Sequence, residues 1–380
     1  MHSYNNLWEK IIDEENIRVA IHKATQGKFG KREKKRQKKY CLENIDTLIP
    51  QMKEYAEKFH HFKHREINIY DGIRRKERVI IVPSLKEQIL HHMIINILKP
   101  IFLKSMYKHS YGSIPNRGGF LGKKYIEKWI KKDVKNTKYV LKMDIKKYFD
   151  NVSHKVLKEK LSKLIRDKKL LYVLNEIIDT TDKGIPLGFY TSQWFANFYL
   201  TSLDHYIKEQ LGATYYIRYM DDMVILGSNK RKLHEMRRKI LEYLNKNLEL
   251  DMKENWQVFK LQYIDSSGKA HGRDIDFMGF RFYRHKTILR KSILMKMKRK
   301  VRHLKKKRSL NINWTVHDAR AMLSYLGWIK VTDIYKLYKR EVKPFVSFKR
   351  LKRMVSIYDN KKNNKEMKSL CGKNPKILTV

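Results

Sequence analysis

Apolar and polar positions alternate along this chain in two periods, and the switches between them mark its elements. Residues 7–22 (LWEKIIDEENIRVAIH) carry apolar positions at helical spacing and predict one short amphipathic helix. The stretch DGIRRKERVIIVPS predicts a turn at Asp71-Gly72, a basic patch and a strand stopped at Pro83. Leu85, Ile89, Leu90, Met93, Ile94, Ile97 and Leu98 then resume the helical period, predicting a core helix that ends at Pro100. Residues 139–149 (YVLKMDIKKYF) predict a strand running into a turn, and 153–164 a helix with Ser153 as its N-cap.

The second half is patterned more sharply. GIPLGFYTSQWFANFYL, residues 184–200, is a Gly- and Pro-punctuated loop that should enter a helix at about Ser192. Residues 214–227 (TYYIRYMDDMVILG) predict two apolar strands flanking Asp-Asp in a hairpin. Residues 231–248 predict a basic amphipathic helix. A strand-like QVFKLQYI follows, then a second pair, IDFMGFRFY and TILRK. Ile293, Met297, Val301 and Leu304 recur at helical spacing within 277–317, a segment with 14 Lys or Arg and no acid. From the 350s the chain turns polar and reads as a mobile tail.

Composition adds a partner to this picture. The 380 residues are 42% hydrophobic and 12% aromatic, enough for a sizeable core divided among two or three subdomains. Lys and Arg number 85 against 39 Asp and Glu, a formal net charge of +46. Solubility alone needs nothing near this imbalance, so a polyphosphate partner is expected. From Lys23 to Lys39, nine of 17 residues are basic. Lys34, Lys35 and Arg36 in that run are candidates for a nucleic-acid-contacting arm, the bland alternative being a solvated helix face. Two cysteines, Cys41 and Cys371, argue against a disulfide framework or a cysteine zinc site and fit a reducing cytoplasm. The N-terminus does not read as a signal peptide, and no stretch approaches the ~18 apolar residues of a membrane span.

The candidate chemistry lies where acids are costly. Asp144 ends an apolar strand, and Asp221 and Asp222 occupy the turn of an apolar hairpin. Either feature alone is ordinary turn chemistry. Together they suggest three carboxylates on adjacent strands of one antiparallel sheet, and their mutual repulsion calls for divalent metal such as Mg²⁺. Two ions roughly 3.5–4 Å apart would clamp the attacking and leaving oxygens of an in-line displacement. That chemistry is nucleotidyl transfer without a protein nucleophile, and the basic surfaces would hold nucleic acid by its phosphates.

These motifs, in this order, resemble the reverse transcriptase palm. MDIKKYFDNVSH resembles the first aspartate motif, KGIPLGFYTSQ the nucleotide-pocket loop, RYMDDMVIL the YxDD motif and DFMGFRF the primer grip, while RKERVIIVP resembles the fingers strand. The resemblance runs from about Leu7 to Pro344 and implies an α+β right-hand polymerase with fingers, an antiparallel palm sheet with helices, and a helical thumb. The implied divisions are a basic helical extension at 1–75, fingers at 76–140, palm at 141–285 (with 160–185 returning to the fingers), thumb at 286–345 and a tail at 346–380.

It also implies roles. Asp144 and Asp221 would ligate two Mg²⁺ ions (Mn²⁺ as substitute), with Asp222 the third carboxylate and the Ile145 carbonyl completing a shell. Phe149 matches the aromatic gate against a ribose 2′-hydroxyl, with an ordinary core Phe as the alternative. Lys76 and Arg78 match residues that grip the dNTP triphosphate, Arg74 and Arg75 competing with them. Leu187, Gly188 and Gln193 would line the nucleotide pocket. Lys253 lies near the family's proton-donating lysine. Arg117 would contact template or merely hold a turn, and Lys298, Arg299 and Arg302 would contact nucleic acid from the thumb.

Group II intron and retroviral enzymes mostly carry Gln in the pocket loop, followed by Ser-Pro. Here Leu187 stands at that position and Gln193 follows Ser192. This form resembles the reverse transcriptases of diversity-generating retroelements, which copy a structured template RNA into cDNA with errors at adenines and work with a small basic accessory protein oligomer. The expectation is a bacterial or phage-encoded cytoplasmic enzyme. The alternatives are another bacterial reverse transcriptase, retrons being disfavoured by the loop, or a catalytically silent RNA-binding protein on the same scaffold.

Overall fold

A computed structural model describes residues 3–26, 32–61, 64–71 and 76–371. The chain forms two compact units, one of residues 1–125 and 132–260, the other of 126–131 and 261–380.

The first unit begins with four helices, α1 (Trp8–Ile11), α2 (Glu14–Thr25), α3 (Arg32–Glu43) and α4 (Ile45–Glu57). The single helix expected over 7–22 is therefore two. Asp13 breaks it, because its side chain accepts from the N–H groups of Glu15 and Asn16 and restarts the helix as an N-cap. A two-stranded ribbon follows, β1 (Arg65–Asp71) and β2 (Lys76–Val82), paired from Arg65↔Val82 to Asp71↔Lys76. The expected turn at Asp71-Gly72 reaches Gly72, which with Arg74 and Arg75 lies outside the described residues.

Helix α5 (Leu85–Ser105) starts at a capping box between Ser84 and Glu87. It runs through Pro100 rather than ending there. Proline removes one backbone donor, but Phe102 beyond it is fully buried and packs on Trp194 and Phe198 (6.5 and 4.9 Å between centroids). Burying a residue of that size contributes about 1.5–3 kcal/mol, comparable to the cost of the proline. Helix α6 (Gly119–Lys132) contributes residues to both units.

Strand β3 (Tyr139–Asp144) leads through α7 (Tyr148–Asn151) into α8 (His154–Leu164), capped by Ser153 as expected, and α9 (Lys168–Ile178). Helix α10 (Tyr190–Tyr199) begins two residues before Ser192 and passes through α11 (Thr201–His205) into one π-helical turn at Tyr206–Gln210. Then come the hairpin β4 (Tyr215–Tyr219) and β5 (Asp222–Gly227), α12 (Lys230–Leu248) and β6 (Gln257–Lys260). The sheet order is β4-β5-β3-β6, all antiparallel. It packs on a core that includes Leu141, Met143, Trp194, Phe195, Tyr216 and Ile225.

Among its described residues from 261 on, the second unit holds two small sheets and four helices. QVFKLQYI is not one strand: after β6 the chain forms β7 (Tyr263–Ile264), which pairs with β8 (Ala270–His271), while Leu261 bridges Arg273. The expected pair IDFMGFRFY and TILRK is a three-stranded sheet, β9 (Ile275–Phe277), β10 (Phe280–Phe282) and β11 (Thr287–Leu289). Met278 and Gly279, both at positive φ, make the tight turn that adds the third strand. Helices α13 (Lys291–Ser309), α14 (Val316–Lys330), α15 (Tyr335–Glu341) and α16 (Phe348–Cys371) follow. Met297, Val301 and Leu304 are buried on the stripe read from the sequence. The polar stretch expected to be a mobile tail is helical through Cys371, since it contains no Gly or Pro before Gly372 and buries Leu351.

Candidate active site

Three chain segments meet at the end of β3. Asp144 is the last residue of β3 and pairs with Asp222, the first residue of β5. Asp221 sits in the β4–β5 turn, and its carbonyl accepts from Ile145 N at 3.3 Å. The segment after α12 runs alongside: Lys146 N donates to Asp251 O (2.9 Å) and Lys253 N to Asp144 O (2.8 Å). Strand register and these backbone bonds bring Asp144, Asp221, Asp222, Ile145 and Lys253 together.

The site is electrostatically unbalanced. Burial first, then the negative charge of Asp144 and a hydrogen bond shared with it, push the Asp221 carboxyl up to about 6. Lys253 Nζ lies 2.6 Å from Asp144 Oδ2, and Lys142 Nζ lies 3.8 Å from Asp222 Oδ2. Asp144 Oδ1 is buried without a donor of its own. Among the described residues no group of three or more His, Cys, Asp or Glu side chains forms a metal cage by itself. Mg²⁺ needs none, since it is held through one or two carboxylates together with substrate phosphates. The hard oxygen donors, the donorless Asp144 Oδ1 and the raised Asp221 carboxyl fit such an ion.

The loop before α10 is fixed at both ends. Gly184 has φ +76, and a Cβ there would lie 2.4 Å from the Phe149 carbonyl oxygen, which accepts from Ile185 N at 2.9 Å. Gly188 has φ +117, and a Cβ there would lie 2.2 Å from Ile81 O. Beside it, Ile81 N donates to Leu187 O at 2.8 Å. The loop therefore spans from Phe149, five residues after Asp144, to β2 of the ribbon. Leu187 and Phe149 are half-buried, and Gly188 and Gln193 are exposed.

Other candidates are placed differently. Arg78 is exposed on β2, and Arg36 is exposed on α3. Lys76, Lys34 and Lys35 lie in β2 and α3, with side chains outside the described residues. Arg117 donates to Tyr107 O at 2.9 Å, and its backbone closes a turn with Ile114. In the second unit Lys298 is paired with Glu341 at 2.9 Å, while Arg299 and Arg302 are exposed.

Sequence reasoning passed over the residues beneath the Asp221 turn: Arg218, Asp204 and Asn197, all buried. A basic residue inside the apolar strand YYIRY was the available signal.

With this geometry in hand, similarity to known proteins is informative. Residues 63–282 match the family model described as reverse transcriptase (RNA-dependent DNA polymerase), more than half of the chain. The chain belongs to the reverse transcriptase family. It is 26% identical over 203 residues to the Escherichia coli retron Ec73 reverse transcriptase, covering 48% of this chain and 60% of that one. It is 24% identical over 147 residues to protein YkfC of E. coli strain K12, covering 36% of this chain and 38% of that one. The matches thus span less than two thirds of these relatives' own lengths. Among solved structures it is similar to telomerase from Candida albicans (TM-score 0.46, 13% identity, 70% of this chain, 53% of that one). A Candida tropicalis telomerase scores 0.44 at 16% identity, over 63% of this chain and 47% of that one. Among the described residues, no helix is long and apolar enough to cross a membrane.

Proposed function

We propose that the protein is an RNA-directed DNA polymerase that copies a structured template RNA, and that it belongs to the diversity-generating type. One observation carries the polymerase reading: the Asp144–Asp222 register with Asp221 in the adjoining turn, its carbonyl bonded to Ile145 N. Asp144 and Asp221 would hold two Mg²⁺ ions, with Asp222 beside them and the Ile145 carbonyl nearby. Ions held there would lower the pKa of a primer 3′-hydroxyl and neutralise charge on the triphosphate. Phe149 and the Leu187–Gly188 edge form the floor against which a dNTP sugar and base would rest. Arg78, with Lys76, would meet the triphosphate from β2. Lys253 would leave Asp144 and protonate the departing pyrophosphate. Residues 76–140 act as fingers, 141–285 as palm and 286–345 as thumb, with Arg299 and Arg302 contacting nucleic-acid phosphates.

The subtype rests on Leu187 and Gln193. A glutamine amide can orient an incoming nucleotide, whereas leucine offers contact only, which reduces discrimination between correct and incorrect pairs. Errors concentrated at template adenines are the expected consequence, and a small basic accessory protein is the expected partner. The test is primer extension on an RNA template with Mg²⁺ and dNTPs, followed by sequencing of the cDNA. Leu187→Gln should lower the adenine error rate. An unchanged rate sinks the diversity-generating reading and leaves the polymerase reading standing. Absence of extension by the wild type, with accessory protein and cognate RNA supplied, would favour a silent RNA-binding protein. The similarity to a retron enzyme supports a second reading, a bacterial reverse transcriptase of ordinary fidelity. A template repeat and a near-identical variable repeat beside the gene would decide against it.

A further inference from the structure

The Asp221 turn stands on a buried charged network that the reaction does not itself require. Arg218 is fully buried in β4. Its guanidinium forks onto Asp204, with Nε to Oδ1 at 2.8 Å and one Nη to Oδ2 at 2.6 Å. Asp204 is also fully buried and accepts from Tyr216 Oη at 2.7 Å. The other Nη of Arg218 turns away from this pair and donates to the Met220 carbonyl at 3.0 Å. Met220 is the residue before Asp221 and sits at φ +54, a left-handed conformation that non-glycine residues rarely hold without support.

A second brace reaches the same residue. The amide of Asn197, on α10, donates to Gly112 O (2.8 Å), to Gln193 O (3.0 Å) and to Met220 Sδ (3.4 Å). Its side-chain oxygen faces Arg218 at 3.4 Å. Gly112 is required under the turn, since a Cβ there would lie 2.4 Å from Met220 Cγ. Helix α10 begins where the Leu187–Gly188 loop ends. One buried network therefore connects the pocket helix to the carboxylate turn.

A buried ion pair is weak evidence for stability, because apolar residues of similar volume often replace it without loss. Here the guanidinium has N–H groups left over after satisfying Asp204, and the shortest bond they make is to the peptide carrying Asp221, at 3.0 Å, against 3.4 Å and 3.5 Å to Asn197. We propose that Arg218, held by Asp204, Tyr216 and Asn197, is the positioning residue that fixes the Met220–Asp221 peptide and so aims the Asp221 carboxylate at its place beside Asp144. This rests on the polymerase reading for its consequence in turnover. It does not rest on that reading for its consequence in ion binding.

The test removes the charge and keeps the packing. The triple variant Asp204→Leu, Tyr216→Phe, Arg218→Met leaves neither a lone buried charge nor the Tyr216 hydroxyl without its acceptor. It is compared with wild type by thermal melting, by Mn²⁺ binding followed with electron paramagnetic resonance, and by primer extension. The expected result is a melting temperature close to wild type, Mn²⁺ affinity reduced about 10-fold or more, and kcat reduced about 10- to 100-fold with KM for dNTP little changed. Wild-type Mn²⁺ affinity in the folded variant overturns the proposal, as does wild-type kcat. Should the triple variant fail to fold, Arg218→Lys keeps the charge opposite Asp204 but loses the fork, and the same two readouts decide. If wild type extends no primer, the polymerase reading fails, and the Mn²⁺ titration still judges Arg218.

Discussion

The carboxylate turn of the first unit and helix α13 of the second both concentrate one sign of charge, and they handle it in opposite ways. At the turn, like charges are pressed together and the protein holds them there with few compensating groups: Lys253 on Asp144, Lys142 near Asp222, and a raised Asp221 carboxyl. Along α13, by contrast, a sequence stretch without any acid has several of its cations answered from elsewhere in the same unit. Lys298 pairs with Glu341, Lys300 and Lys307 share Asp318, and Lys305 sits over the Phe345 ring. Arg299, Arg302, His303 and Lys306 remain exposed, at spacings that put them on one face. Unbalanced charge marks a place for a ligand, and balanced charge marks architecture. The two regions show that the sign and density of charge in a sequence do not separate these cases.

The largest effect should come from the turn. Asp221→Asn is expected to lower primer extension by about 10³-fold or more while binding of a primer–template duplex stays within a few-fold of wild type. Residual extension near the wild-type rate would remove Asp221 from the reaction. Next in size is the loop before α10, tied to Phe149 and to β2. In Gly188→Ala the new Cβ must displace the Ile81 carbonyl and hold φ +117. A displaced pocket floor of about 1 Å should cost about 10²-fold in kcat/KM for dNTP. Gly327→Ala, where a Cβ meets nothing within 4 Å, is the matched control and should be silent. Equal effects at the two glycines would show that the loop's close approach to β2 is irrelevant to turnover.

The contrast within α13 predicts a smaller, salt-dependent effect. Neutralising Arg299 and Arg302 together should weaken nucleic-acid binding and reduce the slope of log affinity against log salt by about 1 per lost phosphate contact. Lys298→Met should change that slope little, because its charge is directed to Glu341. Identical slopes for the two variants would mean that intramolecular pairing does not decide which cations reach the phosphates.

Why the turn was legible in sequence and the α13 cations were not follows from the range of the interactions. Tyr219 to Asp222 fold by local hairpin pairing, and Asp144 ends a strand whose apolar alternation is visible in eleven letters of sequence, 139–149. Gly184 and Gly188 announce positive φ by residue type. The partners of Lys298 and Lys300, however, are Glu341 and Asp318, far along the chain on helices whose packing no local period encodes. The same holds for Pro100, overridden by burial of Phe102 against Trp194, and for Arg218, whose partner Asp204 arrives from another element. Asp13 shows the converse failure. Its capping signal was local and available, yet a continuous apolar period over 7–22 concealed it.

The smallest expected effect tests the architectural half of the comparison. Asp318 caps α14 through a box with Thr315 and receives Lys300 Nζ at 2.6 Å and Lys307 Nζ at 2.7 Å. Burial alone would raise this carboxyl, but the hydrogen bonds from Lys300, Lys307 and Thr315 outweigh it and hold the group well below the ordinary carboxylate range. A carboxyl depressed in the folded state contributes stability that is fully present above its unfolded value of about 3.9 and is lost as pH falls through the folded one. Asp318→Asn should therefore cost about 1–3 kcal/mol at pH 7, an effect of several degrees in the melting of the second unit. The deficit relative to wild type should shrink as the pH is lowered below about 4, where the carboxyl of the unfolded wild-type chain begins to bind a proton that the folded one does not. Melting curves of the full chain from pH 7 to pH 3 measure this directly. Nucleic-acid binding at pH 7 should be nearly unchanged, because the acid's task is to hold two lysines inside the unit. A variant that melts like wild type at every pH would mean that Asp318 answers no structural need, and the division of α13 into balanced and unbalanced cations would lose its best-defined member.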